Sequence, residues 1–200
     1  MYECFENTDI ILGSQSPRRK QLLQDIGIKF RSVAYSVEEI FPKHLKAIET
    51  ALYLSELKAK AFSEEELKEN SILITADTVV SLADSLLGKP KDVREASEML
   101  QRLSGKCHEV ITAFTFRSKE KMKSFYAETK VYFKVLSEEE INYYITEYQP
   151  FDKAGAYGIQ EWIGKIGIEK IKGSYFNVMG LPVHQVYSEL CTFDLDRILD

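Results

Sequence analysis

A strand read at Ile10 to Leu12 runs into Gly13-Ser14-Gln15-Ser16-Pro17-Arg18-Arg19, and the apolar run Ile72-Leu73-Ile74-Thr75-Ala76 ends at Asp77. The first segment offers anion donors and the second a carboxylate. Together they hold what hydrolysis of a phosphoanhydride requires: donors that steady charge on phosphoryl oxygens, and an acid that handles water or a divalent cation.

Ser16 is placed at the N-cap and Pro17 at the first position of a helix over 17–26, so backbone N–H groups and the positive end of the helix dipole face the loop. Arg18 and Arg19 add forked donors for phosphate oxygens. Neighbouring helical residues diverge by about 100°, so one guanidinium of the two enters the site directly. Ser14 and Ser16 join the substrate-binding candidates as hydroxyls of this loop. Asp77 suits either of two roles, holding a divalent cation such as Mg²⁺ or Mn²⁺ or orienting water. Glu38 and Glu39 end a strand read over Phe30 to Val37; an inward-turned member of that pair joins Asp77 around the cation, whose compact charge favours oxygen ligands. Lys89, held between Gly88 and Pro90, is aimed more narrowly than a helix lysine, and Lys58 and Lys153 are further cations for a phosphate chain. Thr78 and Gln160 suit hydrogen bonding to a base or sugar, and Tyr157 offers a ring face. Each residue also has an ordinary reading: a surface Arg pair, a carboxylate bound to loop amides, a solvated turn, a helix lysine, a packing tyrosine.

Several other chemistries are excluded by pattern. The first loop lacks Gly-x-x-x-x-Gly-Lys-Ser/Thr, and neither it nor Gly158-Ile159-Gln160 forms a Gly-x-Gly-x-x-Gly dinucleotide fingerprint. His44, His108 and His184 supply no defensible Ser-His-acid order, and His108 lies in a predicted strand where a structural role is expected. Cys4, Cys107 and Cys191 are odd in number and lack Cys-x-x-Cys spacing, which fits a reducing compartment rather than a thiolate metal site. A net charge of −5 does not attract a nucleic-acid backbone, so any phosphate must be gripped locally. Glu3, Glu6 and Asp9 replace the basic start of a leader, and no apolar run approaches about 18 residues, so no membrane partner and a cytoplasmic location are expected.

The elements that must position these groups alternate in type. The spacing predicts helices over 17–26, 46–65, 92–103, from Ser137-x-x-Glu140 to Pro150, and from Pro182 onward. Strands are expected at 10–12, 30–37, 72–76, a hairpin over 79–87, then 109–117, 125–135 and 163–171. Leu52, Leu54, Leu57, Ala61 and Phe62 are assigned to the buried side of the second helix, and 152–160 is read as a ligand-proximal loop. Alternation implies an α/β core, and the long strands between 109 and 135 imply a mixed central sheet flanked by helices.

The ordered motifs resemble the Maf family of septum-formation-associated nucleoside triphosphate pyrophosphatases. They are Ser14-Gln15-Ser16-Pro17-Arg18-Arg19, Leu54 to Ala61, Ala76-Asp77-Thr78-Val79, Leu87-Gly88-Lys89-Pro90, Leu103-Ser104-Gly105, Asp152 to Gln160, Gly173-Ser174-Tyr175 and Gly180-Leu181-Pro182, spread over about residues 9 to 192. The resemblance implies an elongated, two-lobed architecture related to inosine triphosphate pyrophosphatases, with a central cleft in one domain, a divalent cation and commonly a homodimer. It implies hydrolysis of nucleoside triphosphates to monophosphate and pyrophosphate. Asp77 matches the assigned proton acceptor, Glu38, Lys58 and Lys89 match catalytic-site positions, and Arg18, Thr78 and Gln160 match positions tied to base selection in the dTTP/UTP subgroup. Two departures are visible: Glu38-Glu39 stands for a frequent Asp-Glu, and Glu161-Trp162-Ile163 replaces a Gly-containing turn. A non-enzymatic nucleotide-binding regulator of cell division and an inosine or xanthosine triphosphate pyrophosphatase are the competing readings.

Overall fold

The structure is a computed structural model that describes residues 8–33 and 36–199, with side chains described as far as Phe193. Cys4, Glu3 and Glu6, and part of the strand expected over 30–37, lie outside the described residues. Seven strands form one sheet: β1 (Asp9–Gly13), β2 (Arg31–Val33), β3 (Ser71–Leu82), β4 (Ser85–Leu87), β5 (Cys107–Arg117), β6 (Met122–Phe133) and β7 (Ile168–Lys172). Their order is β2-β1-β3-β5-β6-β7, with β4 against β3. β1 runs parallel to β2 and β3 while the remaining pairs are antiparallel, so the sheet is mixed, as the strand lengths led one to expect. The helices are α1 (Pro17–Asp25), α2 (Ala47–Lys60), α3 (Val93–Leu103), α4 (Glu138–Tyr148), α5 (Trp162–Gly167), α6 (Tyr175–Met179) and α7 (Val183–Leu199).

Local chemistry explains most boundaries. Ser16 Oγ accepts from Arg19 N, Asp92 Oδ1 accepts from Glu95 N, and Ser137 and Glu140 cap each other's backbone N–H groups at the start of α4. Ala83 and Asp84 both take positive φ, 48° and 63°, and close the β3–β4 hairpin in the two-residue turn whose twist suits flanking strands.

Four expectations need correction. Asp77 does not end a strand, because β3 continues through it, paired with β5 from Leu73↔Arg117 to Ser81↔Glu109. The second helix stops at Lys60 and is followed by a short 3-10 turn at Glu64–Glu66. Its buried side is built from Ala51, Leu54, Ser55 and Ala59, whereas Leu57 is only half-buried and Ala61 is exposed; three of these four are small, which lets the helix lie close on β3 and β5. Residues 163–167 are helical and only Ile168–Lys172 joins the sheet; the short α6, capped by Ser174, carries too brief a pattern to be read from periodicity.

The pairing of β3 is what opens the fold for a ligand. On one edge β1 pairs with Ser71 to Ile74 and β4 pairs with Val80 to Leu82, so Thr75 to Val79 have no strand partner on that side among the described pairings. Side chains alternate across the sheet. Leu73, Thr75, Asp77 and Val79 face α2, where Thr75 Oγ1 donates to Ser55 O at 2.7 Å. Ile72, Ile74 and Ala76 face α1 and α7, whereas Val80 and Leu82 pack with α3 and α4. Between these two apolar clusters on the second face sits the polar cross-strand pair Thr78↔Thr112. Removing the α4 cap with Ser137→Ala is expected to lower stability by about 1 kcal/mol with turnover unchanged, as read by denaturant unfolding and a rate assay.

Candidate active site

Two adjoining hollows, of about 510 and 380 Å³, form one cleft at the open edge of β3. Arg18, Arg19, Glu39, Lys58, Lys89 and Asp152 wall both. The smaller hollow runs over Gly13 to Pro17 and the start of α1, where N–H groups and the helix dipole favour an anion. The larger extends past Asp77 and Thr78 to an apolar wall of Val80, Leu87, Val110, Tyr157, Val178 and Met179, with Gln160 at its lining. A charged end beside an apolar end is the distribution a nucleotide presents in its phosphates and its base.

At the charged end Lys58 Nζ bonds Asp77 Oδ1 and, at 2.8 Å, Glu39 Oε1. α2 brings Lys58 over the sheet because Ala51, Ser55 and Lys58 recur at helical spacing on its inner side. Asp77 has only 7% of its surface exposed. Burial raises its pKa, and the charges of Lys58 and Arg19 recover part of that shift. Burial pushes Glu39 the same way, but the Lys58 hydrogen bond and the charges of Lys58, Lys89 and Arg19 prevail, so its carboxyl lies below the usual range. Two neighbouring carboxylates driven apart in proton affinity can divide acid and base roles between them. The same pair suits a hard divalent cation, since Mg²⁺ commonly takes one or two carboxylates and completes its shell with phosphate and water. Among the described residues no group of three His, Cys, Asp or Glu side chains is placed to hold a metal without the substrate.

Arg18 and Arg19 diverge as helical geometry requires. Arg18 Nη1 donates to Asp152 Oδ2 at 2.9 Å, tying α1 to the turn after α4. Asp152 Oδ1 also accepts from Lys153 Nζ at 2.6 Å, and Lys153 reaches Glu161 Oε1 at 3.1 Å. Arg19 turns across the cleft floor, its Nε donating to Gly180 O at 2.8 Å and its Nη2 to Thr78 Oγ1 at 3.0 Å. Gly180 has φ of 116°, so a side chain there would strain the carbonyl that holds Arg19.

A family profile described as Maf-like protein matches residues 9–193. This chain belongs to the Maf-like family. It is 53% identical over 190 residues to a dTTP/UTP pyrophosphatase of Christiangramia forsetii, covering 95% of this chain and 96% of that protein. It is also 53% identical to one of Cytophaga hutchinsonii, covering 92% and 84%, and 46% identical to one of Porphyromonas gingivalis, covering 96% and 98%. Among solved structures, the Staphylococcus aureus Ham1 protein aligns with a TM-score of 0.43 at 16% identity, over 63% of this chain and 72% of that one.

In this Maf-like chain the cleft gathers Ser16, Arg18, Arg19, Lys58, Asp77, Thr78, Lys89, Lys153 and Gln160. Ser14 lines the smaller hollow, where its Oγ accepts from Ser16 N at 3.2 Å and so shapes the loop. Of the acidic pair, Glu39 lines the cleft; Glu38 is exposed and lines neither hollow. β2 ends at Val33 and residues 36–40 have no regular structure, so the two glutamates do not end a strand as expected and no strand period decides which one turns inward. Asp152 was legible only as part of a motif; its position between Arg18 and Lys153 needed the fold. His108 stands behind the wall, its Nε2 2.8 Å from Tyr157 Oη, and burial lowers its pKa to about 4, so it is neutral and structural. Glu161, at the departure from the usual turn, also accepts from the Tyr144 hydroxyl. No helix among the described residues is long and apolar enough to cross a membrane.

A raised folded-state pKa means that the native protein binds the Asp77 proton more tightly than the unfolded chain, so ionising this acid costs stability as pH rises from the ordinary carboxylate range through the raised value. Asp77→Asn is therefore expected to be more stable than wild type near neutral pH, the gain shrinking on acidification through the raised value and vanishing at the ordinary carboxylate range. Parallel denaturation curves at pH 7 and pH 4 check it.

Proposed function

We propose that the protein hydrolyses dTTP and UTP to nucleoside monophosphate and pyrophosphate, and that the open edge of β3 is where it does so. The observation that carries this reading is the Asp77–Lys58–Glu39 cluster, set between an anion-binding helix start and an apolar recess. The relatives named dTTP/UTP pyrophosphatase support the substrate class.

In this reading the triphosphate lies along the start of α1, with Arg18 and Lys89 on its oxygens, and the base enters the recess beside Thr78 and Gln160. Substrate displaces Arg18 from Asp152, exchanging one charge-assisted bond for another. Lys58 holds Oδ1 of Asp77, which leaves Oδ2 either to take the proton of the attacking water or to help hold a cation that activates it. Water adds to the α-phosphorus, the bond from that phosphorus to the bridging oxygen breaks, and pyrophosphate leaves. Arg18, Lys58 and Lys89 offset the negative charge that gathers on the departing oxygens. Asp77 and Glu39 would hold a Mg²⁺ or Mn²⁺ ion, which would supply Lewis-acid stabilisation of the phosphate chain. Lys153, bonded to Asp152 and Glu161, positions the loop that closes the far side of the recess. The homodimer implied by the family resemblance belongs to the same proposal, with an expected scattering mass of twice the chain.

Separate detection of pyrophosphate and phosphate from a nucleotide panel is expected to give pyrophosphate from dTTP and UTP, with turnover lowered at least about 100-fold in Asp77→Asn. Nucleoside diphosphate and phosphate as the main products would exclude attack at the α-phosphorus. Tight binding with no product would favour the regulator reading. Lys89→Ala is expected to raise KM and lower kcat together, because its charge serves both bound phosphate and the more charged transition state.

A further inference from the structure

Behind the cleft floor runs a chain of hydrogen bonds whose direction has no freedom. Arg19 Nη2 lies 3.0 Å from Thr78 Oγ1, Thr78 Oγ1 lies 3.0 Å from Thr112 Oγ1, and Thr112 Oγ1 lies 2.9 Å from the carbonyl oxygen of Asn177. A guanidinium only donates and a carbonyl only accepts. The Thr112 proton must therefore point to Asn177, so Thr112 accepts the proton of Thr78. Thr78 in turn accepts from Arg19.

Both ends of this chain are held firmly. Arg19 is also anchored through Nε to Gly180 O. Asn177 is fully buried, and its Nδ2 donates to Val110 O at 3.0 Å and Thr129 Oγ1 at 2.9 Å. Thr112 is itself fully buried and lines neither hollow, and it faces Thr78 directly across the β3–β5 ladder. The Thr78 hydroxyl thus spends its only proton inward and one lone pair on Arg19. What it can offer to the cleft is its second lone pair.

We propose that Thr112 is a positioning residue for base selection: by taking the Thr78 proton it makes the cleft present an acceptor at that point, favouring a base edge that donates an N–H. Uracil and thymine carry a proton on the ring nitrogen between their carbonyls. Cytosine has the same outline with a bare lone pair there, which would meet the Thr78 lone pair head on. The inference rests on the pyrimidine nucleotide reading above and adds the element that orients its hydroxyl.

The test compares kcat/KM for UTP and CTP in wild type, Thr112→Val and Thr112→Ser. Wild type is expected to favour UTP. Valine keeps the shape of the buried side chain and frees the Thr78 proton to turn toward the ligand, so the UTP-to-CTP ratio is expected to fall roughly tenfold, chiefly through KM, as one directed hydrogen bond is lost. Serine restores the acceptor and is expected to restore the ratio, which a merely structural loss would not do. Equal use of UTP and CTP by wild type overturns the proposal without need of any variant, as does an unchanged ratio in Thr112→Val. Should the valine variant fail to fold, a ratio in Thr112→Ser far below that of wild type overturns it. Absence of hydrolysis of both dTTP and UTP by wild type defeats the functional reading itself, a result distinct from hydrolysis with an unaltered ratio.

Discussion

Among the described residues Thr75 to Val79 have no strand partner on one edge, and that is the constraint on which the site depends. A strand in the middle of a closed sheet presents one set of side chains to each face, and a ligand on one face cannot reach the other. Where β1 has ended and β4 has not begun, the edge of β3 is bare, and two consecutive residues from opposite faces meet one cleft. Asp77 arrives from the α2 side and Thr78 from the α1 and α6 side. The buried carboxylate and the cleft-lining hydroxyl are thus immediate neighbours in the chain.

Each face then supplies the partners its residue needs. On the α2 side, small residues let the helix approach closely enough for Lys58 to reach Asp77, and burial of that carboxylate sets its proton affinity against that of Glu39. On the other face, two apolar clusters leave a seam occupied by Thr78 and Thr112, and Arg19 enters it from the first helix. A buried polar seam is costly unless every group is paired, and the relay to Asn177 pairs the hydroxyls within it. The pairing that stabilises the seam also dictates what the cleft offers a ligand.

The charged groups form a preorganised set. Arg18 with Asp152, Lys153 with Asp152 and Glu161, and Lys58 with Asp77 and Glu39 hold cations in place before any phosphate arrives. Cations already held by neighbouring carboxylates need less ordering when an anionic ligand arrives, which lowers the entropic cost of binding it.

Local sequence determined the caps of α1, α3 and α4, the β3–β4 turn, the mixed character of the sheet and the identity of the groups able to bind phosphate, because each depends on residues within a few positions of one another. The motifs also single out Asp77, Thr78, Lys58, Lys89 and Gln160, all of which line the cleft. Tertiary structure alone decided that β3 runs through Asp77, that Glu39 rather than Glu38 meets Lys58, that residues 163–167 coil into a helix, and that Thr112 stands behind Thr78. These outcomes rest on which strands end beside which, and on the face each side chain takes once paired. Such long-range registers leave no mark in the spacing of neighbouring residues.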